Sequence, residues 1–293
     1  MSYQVLLFYK YVTIDNPHEV GDWFRMRSRE LGLTGRVIVA EEGINATLEG
    51  VDVNTETFVE ELLRDPRFAD IRVKRSAGDG VTFPKLSVKV RKEIVGTHFP
   101  DGVDPRVKTA PRLRPEELRS WYEAKKDFVV VDMRNSYEFD SGHFPDAIDP
   151  GLSSSRDLPS TVSKLESLKD KTILTVCTGG VRCEKMSAYL LNQGFEDVYQ
   201  LEDGIHAYME KYPGKDFLGT LYTFDQRVVM DFGGDREIIG ACRLCGAKTE
   251  NYINCAHPPC NLHFLACTVC VPAGQKAGCS DVCIFAVTAL SGA

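Results

Sequence analysis

The sequence predicts a multidomain α/β protein, and three observations along the chain support this prediction. In residues 1–98 the apolar stretches follow the order β-α-β-β-α-β. In residues 115–220 buried strands alternate with helices, which is the pattern of a parallel sheet. Residues 221–293 form a C-terminal extension that holds eight of the ten cysteines. A chain of 293 residues also exceeds one typical core, so several domains are expected.

Residues 1–98 are predicted to form a ferredoxin-like sandwich, in which one antiparallel sheet carries two helices. Asn16-Pro17 starts the first helix, and Asn54 is predicted to cap the second. The predicted strands are 3–12, 36–40, 46–48, 71–75 and 86–90, and the predicted helices are 16–31 and 54–64.

Residues 99–114 carry several prolines and charges without apolar periodicity, and they are predicted to be a linker. A parallel α/β domain follows over residues 115–220. Gly194 is expected to end its third helix. Its predicted helices are 116–125, 162–168 and 183–192, and its predicted strands are 128–132, 172–176 and 198–201.

The loop from Cys177 to Arg182 carries the clearest chemical signal of the chain. It lies between a buried strand and a helix, where backbone N–H groups and the positive end of the helix dipole meet. Both factors and the Arg182 charge favour a thiolate, so Cys177 is predicted to be the nucleophile. The intervening residues are expected to form the active-site loop, with glycines that let the backbone curl around sulfur: Thr178, Gly179, Gly180 and Val181.

Two further features of this loop bear on its chemistry. Only four residues separate Cys177 from Arg182, one fewer than in phosphatase loops of similar design, so the loop suits sulfur better than phosphate. Cys183 follows Arg182 directly. It is either a second thiol that resolves a persulfide or disulfide on Cys177, or a cysteine that packs the helix.

Polar residues follow the first buried strand of this domain. Asp132 and Arg134 leave the carboxyl end of the strand, where α/β sheets bind ligands. They and Glu138 are predicted to support the site, and for Asp132 and Glu138 a bracing salt bridge is favoured over catalysis. His143 is expected to brace its loop.

Motifs from all three segments resemble known families. The Asp132-x-Arg134 and Gly142-His143 segments with the Cys177 loop resemble the rhodanese domain. The longer run 177–185, together with 40–47 and Phe224-Asp225-Gln226-Arg227-Val228, resembles the bacterial oxygen-dependent tRNA uridine hydroxylases.

The resemblance implies a specific activity. Those enzymes hydroxylate carbon 5 of the wobble uridine, position 34 of certain tRNAs, and they consist of a ferredoxin-like domain, a rhodanese domain and a C-terminal extension. It implies dioxygen as co-substrate, tRNA as partner and an essential role for Cys177, with Cys183 as its second thiol. Asp225 and Arg227 either face the active crevice or dock the tail, whereas docking is expected for Phe224.

The C-terminal cysteines predict metal binding, because crowded cysteines in a reducing compartment more often bind metal than form disulfides. Two Cys-x-x-Cys pairs have the spacing of a zinc site, and the other four cysteines offer a second site, either sequential or interleaved with the first. Zinc is favoured over an iron–sulfur cluster, with His257 and His263 as reserve ligands. The candidate ligands are Cys242, Cys245, Cys255, Cys260, Cys267, Cys270, Cys279 and Cys283.

Composition and charge indicate where the protein is located and how it could bind RNA. The N-terminus shows no export signal, and no apolar stretch approaches the about 20 residues that span a bilayer, so a cytoplasmic protein without a membrane partner is expected. The net charge of −7 means that RNA must be bound by local basic patches. One such patch is predicted on adjacent strands from Arg72, Lys74, Arg75, Lys85, Lys89, Arg91 and Lys92.

Two other functions remain compatible with these residues. A sulfurtransferase would carry sulfur as a persulfide on Cys177 and would need no RNA. A non-enzymatic adaptor would bind zinc and RNA and keep the loop as a relic, which the intact loop argues against. No flavin, haem or nucleotide motif is visible in the sequence.

Overall fold

The computed structural model describes residues 2–99, 102–233 and 237–291, with side chains described as far as residue 287. Pro100 of the predicted linker lies outside the described residues. The elements of the N-terminal part are β1 (Tyr3–Tyr11), α1 (Pro17–Glu30), β2 (Thr34–Ala40), β3 (Gly43–Val51), α2 (Asp52–Leu62), β4 (Lys74–Gly78) and β5 (Leu86–Val90).

The N-terminal sheet has the strand order β4-β1-β3-β2-β5. Its first four strands pair antiparallel in the ferredoxin-like order, whereas β5 pairs parallel with β2 at the edge. The sheet is therefore mixed, not wholly antiparallel as predicted. Phe8, Phe24 and Phe58 pack together where α1 and α2 cover one face. The opposite face, here called the open face, is turned toward the central part of the chain.

Asn54 does not cap α2, contrary to the prediction. The helix begins at Asp52, and Val51 is its N-cap residue. The Asn54 side chain instead donates a hydrogen bond of 2.9 Å to the Leu31 carbonyl and ties the two helices together. Asp52 offers a negative charge in the first turn, so the helix start needs no amide cap.

Residues 99–114 pack against the central domain and are not a free linker in the parts described. Phe99 and Ala110 are buried in its core. The segment ends in the short strand β6 (Arg112–Leu113), whose two residues pair with a later strand of the same sheet. Apolar periodicity is absent because only isolated side chains of this segment are buried.

The central part contains a four-stranded parallel sheet covered on both faces. After β6 come α3 (Pro115–Glu123), β7 (Val129–Asp132), α4 (Ser136–Phe139), β8 (Gly142–His143), α5 (Leu158–Thr161), a 3₁₀ helix (Val162–Leu168), β9 (Ile173–Val176), α6 (Val181–Asn192), β10 (Val198–Leu201) and α7 (Gly204–Lys211). The strand order is β6-β10-β9-β7. Separate apolar clusters fill the two sides of the sheet, as expected of parallel strands buried on both faces.

The C-terminal part consists of small paired strands and a cysteine-lined core. Its elements are β11 (Leu218–Gly219), β12 (Leu221–Tyr222), β13 (Val229–Met230), β14 (Tyr252–Asn254), β15 (His263–Leu265) and α8 (Asp281–Ser291). β11 pairs with β8, so this part begins as an extension of the central domain. No helix among the described residues is long and apolar enough to cross a membrane.

Candidate active site

Cys177 lies in the loop between β9 and the N-terminus of α6. The Gly180 N–H donates a hydrogen bond of 3.2 Å to its sulfur. Burial alone would raise the pKa of the Cys177 thiol, but hydrogen bonds from Cys183 and the loop, with the Arg182 charge, lower it to about 6. Burial and the same contact raise the pKa of Cys183. The arrangement therefore yields a thiolate at Cys177 and a neutral thiol at Cys183.

Arg182 is held by a two-pronged ion pair with Glu138. The guanidinium nitrogens lie 2.6 and 2.8 Å from the two carboxylate oxygens, and both side chains are buried. Arg182 also donates a hydrogen bond of 3.1 Å to the Thr178 hydroxyl. Because the pair fixes both oxygens of Glu138, this carboxylate orients Arg182 beside the loop.

Asp132 and Arg134 form a second buried ion pair at the end of β7. Their closest atoms lie 2.6 Å apart, and Arg134 also donates to the Gly142 carbonyl at 2.6 Å. Both are turned into the domain, where they join β7 to the start of β8. His143 stacks on Phe139 with ring centres 4.0 Å apart, so it braces the same region.

A cavity of about 430 Å³ lies between the Cys177 loop and the open face of the N-terminal sheet. Thr178, Gly179, Val181 and Arg182 line one wall. The sheet contributes apolar and polar side chains to the opposite wall: Leu7, Tyr9, Ile38, Asn45 and Thr47. Cys177 itself has no exposed surface and does not line the cavity. The cavity is thus built by two domains together.

The N-terminal domain is fastened directly to α6. The Tyr9 hydroxyl lies 3.1 Å from a Glu184 carboxylate oxygen, and the Tyr11 hydroxyl donates to the Val181 carbonyl at 3.2 Å. Lys185 forms a buried ion pair with Glu42 at 2.8 Å. These contacts hold the open face against the loop.

The glycines of the loop allow this close approach. A Cβ atom at Gly180 would lie 2.8 Å from the Tyr9 hydroxyl, and one at Gly179 would lie 3.0 Å from the Leu7 side chain. Gly180 also has a φ of 98°, a conformation that favours glycine. A side chain at either position would force the Tyr9 or the Leu7 side chain to shift.

The segment 224–227 divides its roles differently from the prediction. Phe224 was expected to dock the tail, yet it is 45% exposed, lines the cavity and lies 5.5 Å from the Arg182 guanidinium. Asp225 and Arg227 pair with each other at 2.7 Å, and Arg227 donates to the Ser76 hydroxyl and the Ala77 carbonyl. These two residues therefore dock the segment on the N-terminal domain, while Phe224 faces the cavity.

The predicted basic patch is split across the sheet. Its residues were expected on adjacent strands, but β4 and β5 are the opposite edges of the N-terminal sheet. On the β4 side Lys74 is buried and paired with Asp203, and Arg75 is paired with Glu56. The β4 cations are therefore neutralised, and only the β5 side remains a candidate for binding anions.

The eight C-terminal cysteines form two interleaved clusters, each of which could hold a metal ion. Within a cluster all four sulfurs lie within 4.8 Å of one another. His257 lies 3.5 Å from the Cys283 sulfur, whereas His263 stacks on Tyr252 and is hydrogen-bonded to Asn254. The first cluster contains Cys242, Cys245, Cys267 and Cys270, and the second contains Cys255, Cys260, Cys279 and Cys283.

The cysteine-rich module contacts the helix that carries Glu138. The Tyr252 hydroxyl donates a hydrogen bond of 2.5 Å to the Tyr137 carbonyl. The rings of Tyr137 and His263 lie 5.6 Å apart, edge to face. The module thus supports α4 and, through it, the carboxylate that holds Arg182.

Several cavity residues were not identified from the sequence. Tyr9, Arg156 and the neighbouring serines reach the cavity only because the two domains meet there. Asn45 and Thr47 lie in the motif 40–47, which was noted for its resemblance but given no role. Their alternation on β3 was a usable signal, because two polar residues on one face of a central strand must contact something polar.

Fold and site together define a class of protein: a rhodanese-like domain whose cysteine loop is covered by an acylphosphatase-like domain. Family models agree with each part of this description. Residues 3–94 match the UPF0176 acylphosphatase like domain, residues 114–211 the Rhodanese-like domain, and residues 218–284 the Rhodanase C-terminal family.

Comparison of whole chains gives the family. The chain is 40% identical to a tRNA uridine(34) hydroxylase of Cytophaga hutchinsonii, over 96% of this chain and 90% of that protein. A tRNA uridine(34) hydroxylase of Bacillus velezensis is 41% identical over 96% of this chain and 88% of its own length. The chain belongs to the tRNA uridine(34) hydroxylase family.

Proposed function

We propose that the protein hydroxylates carbon 5 of uridine 34 in tRNA, with dioxygen as co-substrate and Cys177 as the reactive centre. The family relationship supports the substrate and the reaction. The observation in this chain that carries the proposal is the cavity between the open sheet face and the Cys177 loop. Its volume of about 430 Å³ lies in the range of small-ligand sites, and a single extruded nucleotide is a ligand of this size.

The lining of the cavity suits a pyrimidine base. Phe224 offers an exposed aromatic ring for stacking, which is how proteins commonly hold an unstacked RNA base. Asn45, Thr47 and Asn135 offer amide and hydroxyl groups that can pair with the oxygens and the N–H of uracil. The cavity thus combines a stacking surface with neutral polar groups, as recognition of an uncharged base requires.

The loop gives Cys177 its chemical role. The thiolate form is nucleophilic, and the Cys183 thiol, the Arg182 charge and backbone N–H groups stabilise its charge. Glu138 and Thr178 keep Arg182 in place, and Asp132 with Arg134 holds the end of β7. Cys183 is the second thiol of the site, in contact with Cys177.

Both cysteine clusters are proposed to bind zinc as structural sites. The distances of 3.7 Å between Cys245 and Cys267 and 3.5 Å between Cys260 and Cys279 approach the edge of a tetrahedron with Zn–S bonds of about 2.3 Å. An iron–sulfur cluster places several iron atoms between the thiolates and needs wider spacing. Four thiolates around one ion also leave no open position, which indicates a structural role.

Domain boundaries and a cellular location are part of the same proposal. We propose a ferredoxin-like domain over residues 1–98, a connecting segment over 99–114, a rhodanese domain over 115–220 and a C-terminal extension over 221–293. A tRNA substrate and ten free thiols suit the reducing cytoplasm.

The test uses cells that lack their own tRNA uridine hydroxylase. Expression of the full chain is expected to add one oxygen to uridine 34, detected by mass spectrometry of tRNA nucleosides, and growth under ¹⁸O₂ is expected to label that oxygen. The Cys177→Ala variant is expected to give none, at equal abundance and melting temperature. If uridine stays unmodified and the purified protein instead gains one sulfur from thiosulfate at Cys177, the sulfurtransferase function replaces this proposal.

A further inference from the structure

Three cations lie at the cavity or next to residues that line it. Arg36 lies on β2 and Lys89 on β5, at the edge of the open face. Arg156 lies on the other side of the mouth and lines the cavity from the central domain. All three side chains are exposed. They are called the rim cations below.

Strand register places two of the rim cations beside the cavity wall. Arg36 is the partner of Thr47 across β2 and β3, and Lys89 is the partner of Ile38 across β5 and β2. Thr47 and Ile38 both line the cavity. Since directly paired residues point to the same face of a sheet, Arg36 and Lys89 share the open face with the cavity lining.

The rim cations have no ion-pair partner among the described residues, unlike other basic residues near the domain interface. Within residues 2–99, 102–233 and 237–291, no carboxylate forms an ion pair with Arg36, Lys89 or Arg156. In contrast, Lys74 and Lys185 at the interface are both paired with acids. The rim charges are thus left available to a ligand.

An RNA strand has the chemistry that fits this arrangement. Apart from Arg156 and Arg182, which is ion-paired with Glu138, the cavity lining is uncharged and partly aromatic, which suits a base. The rim is cationic, which suits the phosphates that flank that base. The chain carries a net charge of −7, so its overall field does not attract RNA and a local group of cations is required. Guanidinium and ammonium groups are the usual protein ligands of phosphate.

We propose that Arg36, Lys89 and Arg156 bind the phosphates on either side of the nucleotide that occupies the cavity. The inference rests on the proposed function and adds the residues that hold the RNA backbone. Arg36 and Lys89 bind the strand on the N-terminal domain, and Arg156 binds it on the central domain. The RNA therefore bridges the two domains across the cavity mouth.

The test measures binding of unmodified tRNA to the full chain as a function of salt concentration. Each phosphate contact contributes about 0.7 to the slope of log Kd against log salt for single-stranded nucleic acid. Each of Arg36→Ala, Lys89→Ala and Arg156→Ala is expected to lower the slope by about this amount, and the triple variant by about 2.

A matched control separates position from total charge. Arg25, Arg75 and Arg114 are paired with carboxylates away from the cavity, and their triple alanine variant removes the same charge. This control is expected to keep the slope of the wild type. An equal loss of slope in both triple variants would overturn the inference, as would a rim variant with the wild-type slope.

Failure of the inference and failure of the proposed function give different results. If the rim variant keeps the full salt slope while wild-type protein still hydroxylates tRNA in cells, only the inference fails. If the wild type neither binds nor modifies tRNA, the proposed function fails as well. Melting temperatures of both triple variants are expected to match the wild type, because the substituted side chains are surface groups.

Discussion

The Arg182 charge is one of the groups that lower the pKa of Cys177, together with the hydrogen bond from Cys183. The pKa of about 6 means that the thiolate fraction rises as pH increases through 6, well below the ordinary cysteine range. We expect peptide-resolved alkylation of Cys177 to accelerate with a midpoint near pH 6. In Arg182→Gln the stabilising cation is lost, so the midpoint moves upward and reactivity at pH 7 falls.

Two further variants test whether the shift of the midpoint is due to the charge and geometry of Arg182. Arg182→Lys keeps a cation without the two-pronged contact to Glu138 and is expected to shift the midpoint less than Arg182→Gln. Arg119→Gln removes an arginine that is paired with Asp216 elsewhere in the domain and is expected to leave the midpoint unchanged. A midpoint near pH 6 in Arg182→Gln would mean that the Cys183 thiol and the backbone N–H groups suffice without the charge.

Single residues were predictable from the sequence where their neighbours along the chain create their chemistry. The Cys177 loop is such a case, since sulfur, glycines and Arg182 lie within six consecutive residues. Phe224 is the opposite case, because its side chain is placed in the cavity by residues of other domains. A phenylalanine beside an ion-paired Asp225 and Arg227 gives no local indication of which of them docks.

At the level of elements, the start of α7 supports the Cys177 loop from behind. Gly204 has a φ of 71°, and a Cβ atom there would lie 2.5 Å from the Cys177 carbonyl and 2.7 Å from the Gly180 nitrogen. The N–H groups of Ile205 and His206 donate to the Cys177 and Thr178 carbonyls. The first turn of α7 therefore fixes the backbone around the thiolate.

This packing predicts a difference between two glycine substitutions. Gly194 has a similar positive φ of 84°, but a Cβ atom there would meet nothing within 4 Å. Gly194→Ala is expected to cost only the backbone strain, about 1–2 kcal/mol. Gly204→Ala adds a clash with the loop and is expected to cost more in urea unfolding and to raise the alkylation midpoint of Cys177. Equal costs and an unchanged midpoint would show that the loop adapts freely.

Most element positions were predicted, although β4 lies at Lys74–Gly78 and not at 71–75. The spatial neighbours of the elements were not predicted. The bounds of β5 and β10 agree with the predicted strands 86–90 and 198–201, because each is a short apolar run with clear ends. The pairing of β5 with β2 has no local signature, and it separates β5 from β4 across the whole sheet. The basic patch was therefore assigned to one surface although its residues lie on two.

On the scale of the molecule, the cysteine clusters also show that a sequence does not reveal which distant residues meet. The sequence predicted metal binding by all eight cysteines but left the connectivity open, because thiolate pairs with short spacing combine equally well in several ways. Folding brings the first pair against the third and the second against the fourth. An ion bound at either cluster would join distant parts of the module.

The metal module is expected to support catalysis from a distance. We expect two zinc ions per chain by elemental analysis, and one ion in either Cys245→Ser or Cys260→Ser if the remaining site persists. Chelation of both ions should unfold the module, remove Tyr252 and His263 from Tyr137, and release α4 with Glu138. Because Glu138 orients Arg182, alkylation of Cys177 at pH 7 should slow as the metal leaves.

Tyr252→Phe provides the matched variant for this coupling. It keeps the ring and both metal sites but removes the hydrogen bond to the Tyr137 carbonyl, so it is expected to show full metal content and a partial loss of Cys177 reactivity. Suppose that circular dichroism shows an unfolded module in the chelated protein while Cys177 keeps its full reactivity. This result would show that α4 holds its position without the module. The zinc sites would then stabilise only their own module, and the link from metal to thiolate would be absent.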